Sequence, residues 1–174
     1  NCVLVGANTK GINTDWIGYM GSIKNTKIKK SGKILILGFG GAAQAIFYGF
    51  SKKKYKNIIV FNRSRKAIKT SGAIRFTKKY SLIDKHLKEA DLIINTTPTN
   101  PLNRKQTKLI KTSTIISDIV YKPKETAFLK NFKENKKIYG ISMLIEQAIP
   151  CFHYWFGFSP DVDSELLNKI NSKI

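Results

Sequence analysis

Ile34-Leu35-Ile36-Leu37-Gly38-Phe39-Gly40-Gly41-Ala42-Ala43-Gln44-Ala45-Ile46 is the stretch whose reading decides the fold. Four apolar residues run into a glycine cluster and then into small residues that suit a helix. That order reads as buried strand, tight turn and helix start. Gly38 and Gly40 lack a Cβ, so the backbone there can turn sharply and lie close to a ligand. The free N–H groups of the helix start, at its positive dipole end, favour a pyrophosphate. The pattern is Gly-x-Gly-Gly-Ala, with Ala43 where the third glycine of the commoner dinucleotide fingerprint would fall. Glycine turns without a ligand are common, so the reading depends on the residues downstream of the turn.

Roughly 20 residues further on, where a dinucleotide fold brings its second strand to the adenosine ribose, Ile58-Ile59-Val60-Phe61 ends in Asn62-Arg63-Ser64-Arg65-Lys66. An acidic residue there would accept from a ribose 2′-hydroxyl and repel a phosphate. Arg63, Arg65 and Lys66 instead favour a 2′-phosphate, which selects NADP over NAD.

The length of 174 residues suits one domain with a core that needs no disulfides. No apolar run reaches membrane-spanning length and no signal-peptide pattern opens the sequence, so no membrane partner is expected. Cys2 and Cys151 have no metal-ligand spacing, which argues against a metal site and suits a reducing, cytoplasmic location. The net charge of +20 raises the question of nucleic acid. The lysines are spread among isoleucines and asparagines along the whole chain rather than gathered in one block. They read as solvated faces that attract small anions, not as a nucleic-acid surface.

The chain opens with a short apolar strand, Asn1-Cys2-Val3-Leu4-Val5, and a hairpin turn at Gly6-Ala7-Asn8. Asn13-Thr14-Asp15 is a helix start for an amphipathic stretch over 16–23. After the helix at 45–53, a third strand is predicted at Ala73-Ile74-Arg75-Phe76, with only a very short helix before it. A helix over 82–89 leads into a fourth strand at 91–95, stopped by Pro98. The fifth strand is predicted at 114–121, a helix at 123–135, and the sixth strand at 137–139. A long apolar helix over 143–155 is interrupted by Pro150, and Ser159-Pro160-Asp161 caps a last helix to about 170. Strands alternating with helices predict an α/β fold, a Rossmann-like doubly wound parallel six-stranded sheet with flanking helices.

These motifs together resemble the shikimate dehydrogenase family. The matching pieces are Gly11-Ile12-Asn13-Thr14-Asp15, Gly38-Phe39-Gly40-Gly41-Ala42, Asn62-Arg63-Ser64 and Ala90-Asp91-Leu92-Ile93-Ile94-Asn95-Thr96-Thr97-Pro98. Asp118-Ile119-Val120-Tyr121-Lys122-Pro123, Gly140-Ile141-Ser142-Met143-Leu144 and Gln147-Ala148 come next, in the family's order. The resemblance covers nearly all of this chain, but only the C-terminal part of that enzyme.

The resemblance implies NADP-dependent reduction of 3-dehydroshikimate to shikimate, on the route to chorismate and aromatic amino acids. It makes Asp15 the catalytic-site aspartate, which binds a substrate hydroxyl and pairs with a lysine. Asn1, Gln147 and Tyr121 become substrate-binding residues. Gly38, Phe39, Gly40, Gly41, Ala42, Asn62, Arg63, Ser64, Arg65, Lys66 and Thr96 become cofactor-binding, with Ile119, Gly140 and Met143 at the nicotinamide end. Residues 1–23 then correspond to a remnant of the substrate domain and a connecting helix. Residues 24–140 correspond to the NADP-binding domain, and 141–174 to helices returning toward the substrate domain. The family's N-terminal substrate domain, with its catalytic lysine, has no counterpart in these residues, so the chain is expected to be inactive alone; a homodimer is open to the full-length protein. The family's Thr after Asn1 is Cys2 here. The turn after Ser64 is one residue short, leaving open whether Arg65 or Lys66 is the second basic contact. Asn100-Pro101-Leu102 replaces the usual Gly-Met. A related dehydrogenase using quinate or a folate carbon-carrier, and a standalone NADP-binding module that regulates or scaffolds, are the alternatives.

Overall fold

Five apolar runs pair side by side into one sheet, all of them parallel. The structure is a computed structural model that describes residues 1–70 and 73–173. In chain order, β1 (Cys2–Leu4) and β2 (Lys10–Ile12) form an antiparallel hairpin, followed by α1 (Asp15–Ser22). β3 (Lys33–Leu37), α2 (Gly41–Lys52) and β4 (Asn57–Phe61) make the first parallel unit. Next come β5 (Ala67–Thr70), β6 (Ala73–Phe76), α3 (Asp84–Leu87) and β7 (Leu92–Asn95). The chain ends with α4 (Arg104–Thr107), β8 (Ile115–Asp118), β9 (Lys137–Ile138), α5 (Gly140–Phe156) and α6 (Ser164–Asn171). The order across the parallel sheet is β4-β3-β7-β8-β9.

Successive side chains of a strand point to opposite faces, and both faces of this sheet are covered. Ile34 and Ile36 pack with Ala43, Ile46 and Phe50 of α2 and Tyr19 of α1. Leu35 and Leu37 pack on the other side with Phe61, Ile93, Leu87 and Phe128. β3 lies between β4 and β7, so chain order reverses direction there. Open α/β sheets bind ligands at such a switch point, beyond the carboxyl ends of the strands. Among the described residues, no helix is long and apolar enough to cross a membrane.

The expected doubly wound parallel sheet is present, with five strands rather than six. Ala73–Phe76 pairs antiparallel with Ala67–Thr70 as a separate hairpin, where the sequence pattern predicts a short helix and a third sheet strand. A parallel neighbour of β4 needs a crossover of a dozen or more residues, usually a helix. Here the loop after Phe61 and the β5–β6 hairpin consume that length. The chain returns to the edge of β4 only at Lys78, through one parallel bridge to Phe61.

Other elements also differ. The helix expected at 82–89 shrinks to α3 behind a 3₁₀ turn at Tyr80–Leu82. The helix expected at 123–135 is only a 3₁₀ turn, Leu129–Asn131. The Thr126 hydroxyl donates to Asp118 (2.7 Å) and accepts from the Leu129 N–H (3.2 Å), a cap geometry that starts the helical turn only beyond Thr126. α5 runs through Pro150 without a break. The lost hydrogen bond is offset by packing of α5 on α1 and β1, while residues 152–156 beyond Pro150 are exposed. The last helix is capped by Asp163, whose carboxylate accepts from the Leu166 N–H at 2.8 Å, rather than at 159–161.

Candidate functional site

The turn after β3 sets one end of the site. Gly38 has φ +99°, and a Cβ there would lie 2.6 Å from Thr96 Oγ1 and 2.9 Å from Thr97 Cγ2. Only glycine fits, because both the dihedral and the neighbouring loop exclude a side chain. Thr96 closes this contact by donating from Oγ1 to the Leu37 carbonyl at 2.7 Å. Gly40, the N-cap of α2, is different: its φ is −84° and a Cβ would meet nothing within 4 Å. Gly41 is equally open, and no side chain caps the helix. Ala42 comes next in the first turn, while the Phe39 side chain turns into the core. The uncapped N–H groups and the empty space above Gly40 and Gly41 fit a pyrophosphate.

The loop beyond β4 is held from inside and charged outside. Asn62 Nδ2 donates to the Ser64 carbonyl (3.0 Å), and the buried Thr77 hydroxyl donates to the same oxygen (3.1 Å). The Lys66 N–H donates to Thr77 Oγ1 at 2.9 Å. Arg63, Ser64, Arg65 and Lys66 are exposed, and among the described residues none of the three cations is in an ion pair. The Arg65 guanidinium lies 4.1 Å from the centre of the Phe76 ring. The Tyr80 ring packs beside Phe61 at the end of β4, centroids 6.3 Å apart, and its buried hydroxyl has no hydrogen-bond partner among the described residues. Burial pushes its phenol up to about 12, with the Arg63 charge opposing the rise. Sequence reasoning missed Tyr80, and no motif marks it.

Beyond the ends of β7 and β8 lies a cavity of about 450 Å³, a size suited to a small ligand or part of a larger one. Thr96, Thr97 and Pro98 line it from one loop, and Ile119, Val120, Tyr121 and Lys122 from the other. Gly140, at the start of α5, backs onto the second loop: a Cβ there would lie 2.4 Å from the Ile119 carbonyl oxygen. Met143, one turn along, is buried in the core beneath α5.

Two turns along α5 from Gly140, Gln147 meets residues from the start of the chain. Asn1 Nδ2 donates to Asp15 Oδ1 (2.7 Å) and to Gln147 Oε1 (3.0 Å). Asn1 Oδ1 accepts from the Thr14 N–H at 2.8 Å, which fixes the orientation of the amide. Gly18 makes this meeting possible. A Cβ on it would lie 2.5 Å from Gln147 Cβ and 2.7 Å from the Met143 carbonyl, so α1 and α5 touch backbone to backbone. Beneath the cluster, Thr14 Oγ1 lies 3.2 Å from Cys151 Sγ. Cys2 and Cys151 are buried free thiols, and burial, then the nearby Cys151, pushes the Cys2 thiol up. Such thiols are poor nucleophiles. The cluster offers a carboxylate and two amides, a set suited to a ligand bearing several hydroxyls. Among the described residues, no group of His, Cys, Asp and Glu side chains could hold a metal ion.

A model of the family described as shikimate / quinate 5-dehydrogenase matches residues 22–129. The chain belongs to that family. It is 37% identical over 175 residues to a shikimate dehydrogenase (NADP(+)) of Bartonella quintana, covering 91% of this chain and 59% of the relative. It is 35% identical over 181 residues to the Nitrosopumilus maritimus protein of the same name, covering 90% and 66%. A solved shikimate 5-dehydrogenase from Thermus thermophilus, in complex with NADP(H) and shikimate, superposes with a TM-score of 0.76 at 26% identity. That match covers 98% of this chain and 66% of the other. The chain thus spans 59–66% of the length of these relatives.

Within this dehydrogenase-family chain, the structure brings the expected residues together in three groups. Gly38, Gly40, Gly41 and Ala42 stand at the turn after β3, with the loop from Asn62 to Lys66 following Phe61, whose carbonyl accepts from the Gly38 N–H at 2.8 Å. Thr96, Ile119 and Tyr121 share the cavity. Asn1, Asp15 and Gln147 share one hydrogen-bonded cluster, to which Tyr121 does not belong. The side chains of Phe39 and Met143 pack in the core.

Proposed function

We propose that this chain is the NADP-binding part of a shikimate dehydrogenase, which reduces 3-dehydroshikimate to shikimate with NADPH. The observation that carries the reading is a run of contacts linking the three groups. The glycine turn at Gly38 meets Thr96 and Thr97 of the cavity, Gly140 at the start of α5 meets Ile119 on its other wall, and the same helix carries Gln147 to Asn1 and Asp15. When bound, NADPH supplies the hydride for the 3-carbonyl. The α2 N-terminus holds the pyrophosphate, and Arg63 with Arg65 or Lys66 pairs with the 2′-phosphate. Thr96, Ile119 and the backbone at Gly140 bound the nicotinamide end, with Met143 supporting it from below. Asp15, Asn1, Gln147 and Tyr121 hold the substrate hydroxyls and carboxylate-bearing ring, leaving the carbonyl near the nicotinamide.

The developing alkoxide needs a proton, and Asp15 is placed to orient a lysine that gives it. Among the described residues no lysine is ion-paired with Asp15. The family resemblance assigns the proton donor to a lysine of the substrate domain, which has no counterpart in these residues. The free thiols of Cys2 and Cys151 suit a reducing cytoplasm.

The 174-residue chain should bind NADPH in a fluorescence titration, yet oxidise it with 3-dehydroshikimate at no detectable rate. General acid–base help is worth roughly 10²–10⁴-fold by itself. Fusing the N-terminal part of a close relative ahead of Asn1 should restore turnover, and Asp15→Asn should then lower it again. Failure to bind NADPH refutes the cofactor assignment. Turnover by the chain alone refutes the missing-donor argument. Binding with no turnover after fusion favours a regulatory NADP-binding module, and turnover with quinate alone favours that substrate.

A further inference from the structure

The last register pair of β7 and β8 is Asn95 opposite Asp118, and both side chains are 1% exposed. Apolar strands usually end in solvated turns, yet here two polar side chains are buried in contact. Asp118 has no cation beside it among the described residues. Its carboxylate is satisfied by three donors: Val120 N–H on Oδ1 (3.0 Å), and Thr126 Oγ1 (2.7 Å) and Asn95 Nδ2 (3.2 Å) on Oδ2. Asn95 does the same for its own loop. Its Oδ1 accepts from the Thr97 N–H (3.0 Å) and hydroxyl (2.7 Å), and its Nδ2 donates to the Thr97 and Thr99 carbonyls, both at 3.2 Å. Each residue pins one of the two loops that line the cavity, and the bond between them ties the loops together.

We propose that Asn95 and Asp118 act as coupled positioning residues that hold the nicotinamide cavity at its working width. This rests on the cofactor reading above. An isolated hydrogen bond at a surface turn would contribute little, but a buried network is sensitive to any unmatched member. Asp118→Asn is the sharp perturbation because both carboxylate oxygens face donors. Whichever way the new amide turns, its NH₂ group faces an N–H, which unlike the Thr126 hydroxyl cannot turn to accept: at Oδ1 the Val120 N–H loses its acceptor, and at Oδ2 the tie to Asn95 Nδ2 is lost. The adenosine end, built from the β4 loop and the α2 N-terminus, shares none of these bonds.

The experiment titrates two ligands, NADPH and adenosine 2′,5′-bisphosphate, into the chain, Asp118→Asn and Thr126→Val. The bisphosphate occupies only the adenosine end. Asp118→Asn should weaken NADPH roughly tenfold or more, while the bisphosphate stays within about twofold. The rise in nicotinamide fluorescence on binding should shrink. Thr126→Val, which removes one donor and keeps the volume, should do the same to a smaller degree. It decides the matter if Asp118→Asn does not fold. Equal losses for both ligands, or an unchanged NADPH affinity in both variants, would overturn the inference. If the unaltered chain binds neither ligand, the cofactor reading itself falls, and this inference with it.

Discussion

Gly38 and Gly40 stand two residues apart in the same turn, and substituting them should fail for opposite reasons. At Gly38, alanine must adopt φ +99°, beyond the left-handed well that already costs an L-residue about 1–2 kcal/mol. Its Cβ would lie 2.6 Å from Thr96 Oγ1 and 2.9 Å from Thr97 Cγ2. Relieving that overlap moves the β7 loop and adds about 1–3 kcal/mol. Together these take about 2–5 kcal/mol from a stability that for most domains is about 5–15 kcal/mol. For a chain of this size the melting temperature should fall by roughly 4–20 °C. At Gly40 the backbone is ordinary and the space is empty. Gly40→Val loses a favourable helix N-cap, about 1 kcal/mol and roughly 2–4 °C. It nevertheless fills the space over the α2 N-terminus, so NADPH binding should disappear. Thermal melts and NADPH titrations on both variants separate stability from binding. A Gly40→Val protein that melts as early as Gly38→Ala, or that still binds NADPH at the original affinity, would refute the reasoning.

Arg63→Ala should weaken NADP by about 1.5–3 kcal/mol, the usual worth of a charge-assisted hydrogen bond, and leave NAD nearly unchanged; equal losses would remove the 2′-phosphate role. Gly18→Ala forces α1 away from α5 at Gln147, and thermal melts should register a loss of about 1–3 kcal/mol. An unchanged melting temperature would mean the helices do not touch there. His86 supplies a pH dependence. Burial, then the charges of Lys78, Lys33 and Lys85, hold its imidazole below the ordinary histidine value. Between that lowered value and about 6.5 the unfolded chain binds more protons than the folded one, so stability rises with pH. The contribution is complete above about pH 6.5 and is lost on acidification. His86→Gln should flatten the fall in melting temperature from about pH 7.5 to 5.5, and superimposable profiles would exclude the group.

The sequence by itself determined what short-range physics can encode. Ile34 to Leu37 running into Gly38 specifies strand and turn because apolar periodicity and the φ freedom of glycine are local properties. The basic residues after Phe61 were legible for the same reason, since their distance from the glycines is set by one strand–helix–strand unit. Tertiary structure decided the rest. Ala73–Phe76 has the residues of a strand, but whether it joins β4 or folds on β5 depends on the length left for a crossover. The sequence from 123 to 135 has helical propensity, yet the bond to the buried Asp118 carboxylate fixes Thr126 as a cap, and only a short turn follows it. Asn1, Asp15 and Gln147 were placed in a site only through family resemblance. No spacing rule joins positions so far apart, and their contact depends on Gly18 letting two helices meet. Asn95 and Asp118 lie at the ends of apolar runs, where a polar residue ordinarily meets solvent. Only the parallel register of β7 and β8 turns them toward each other and buries them, because partner choice between strands is a long-range property of the packed sheet.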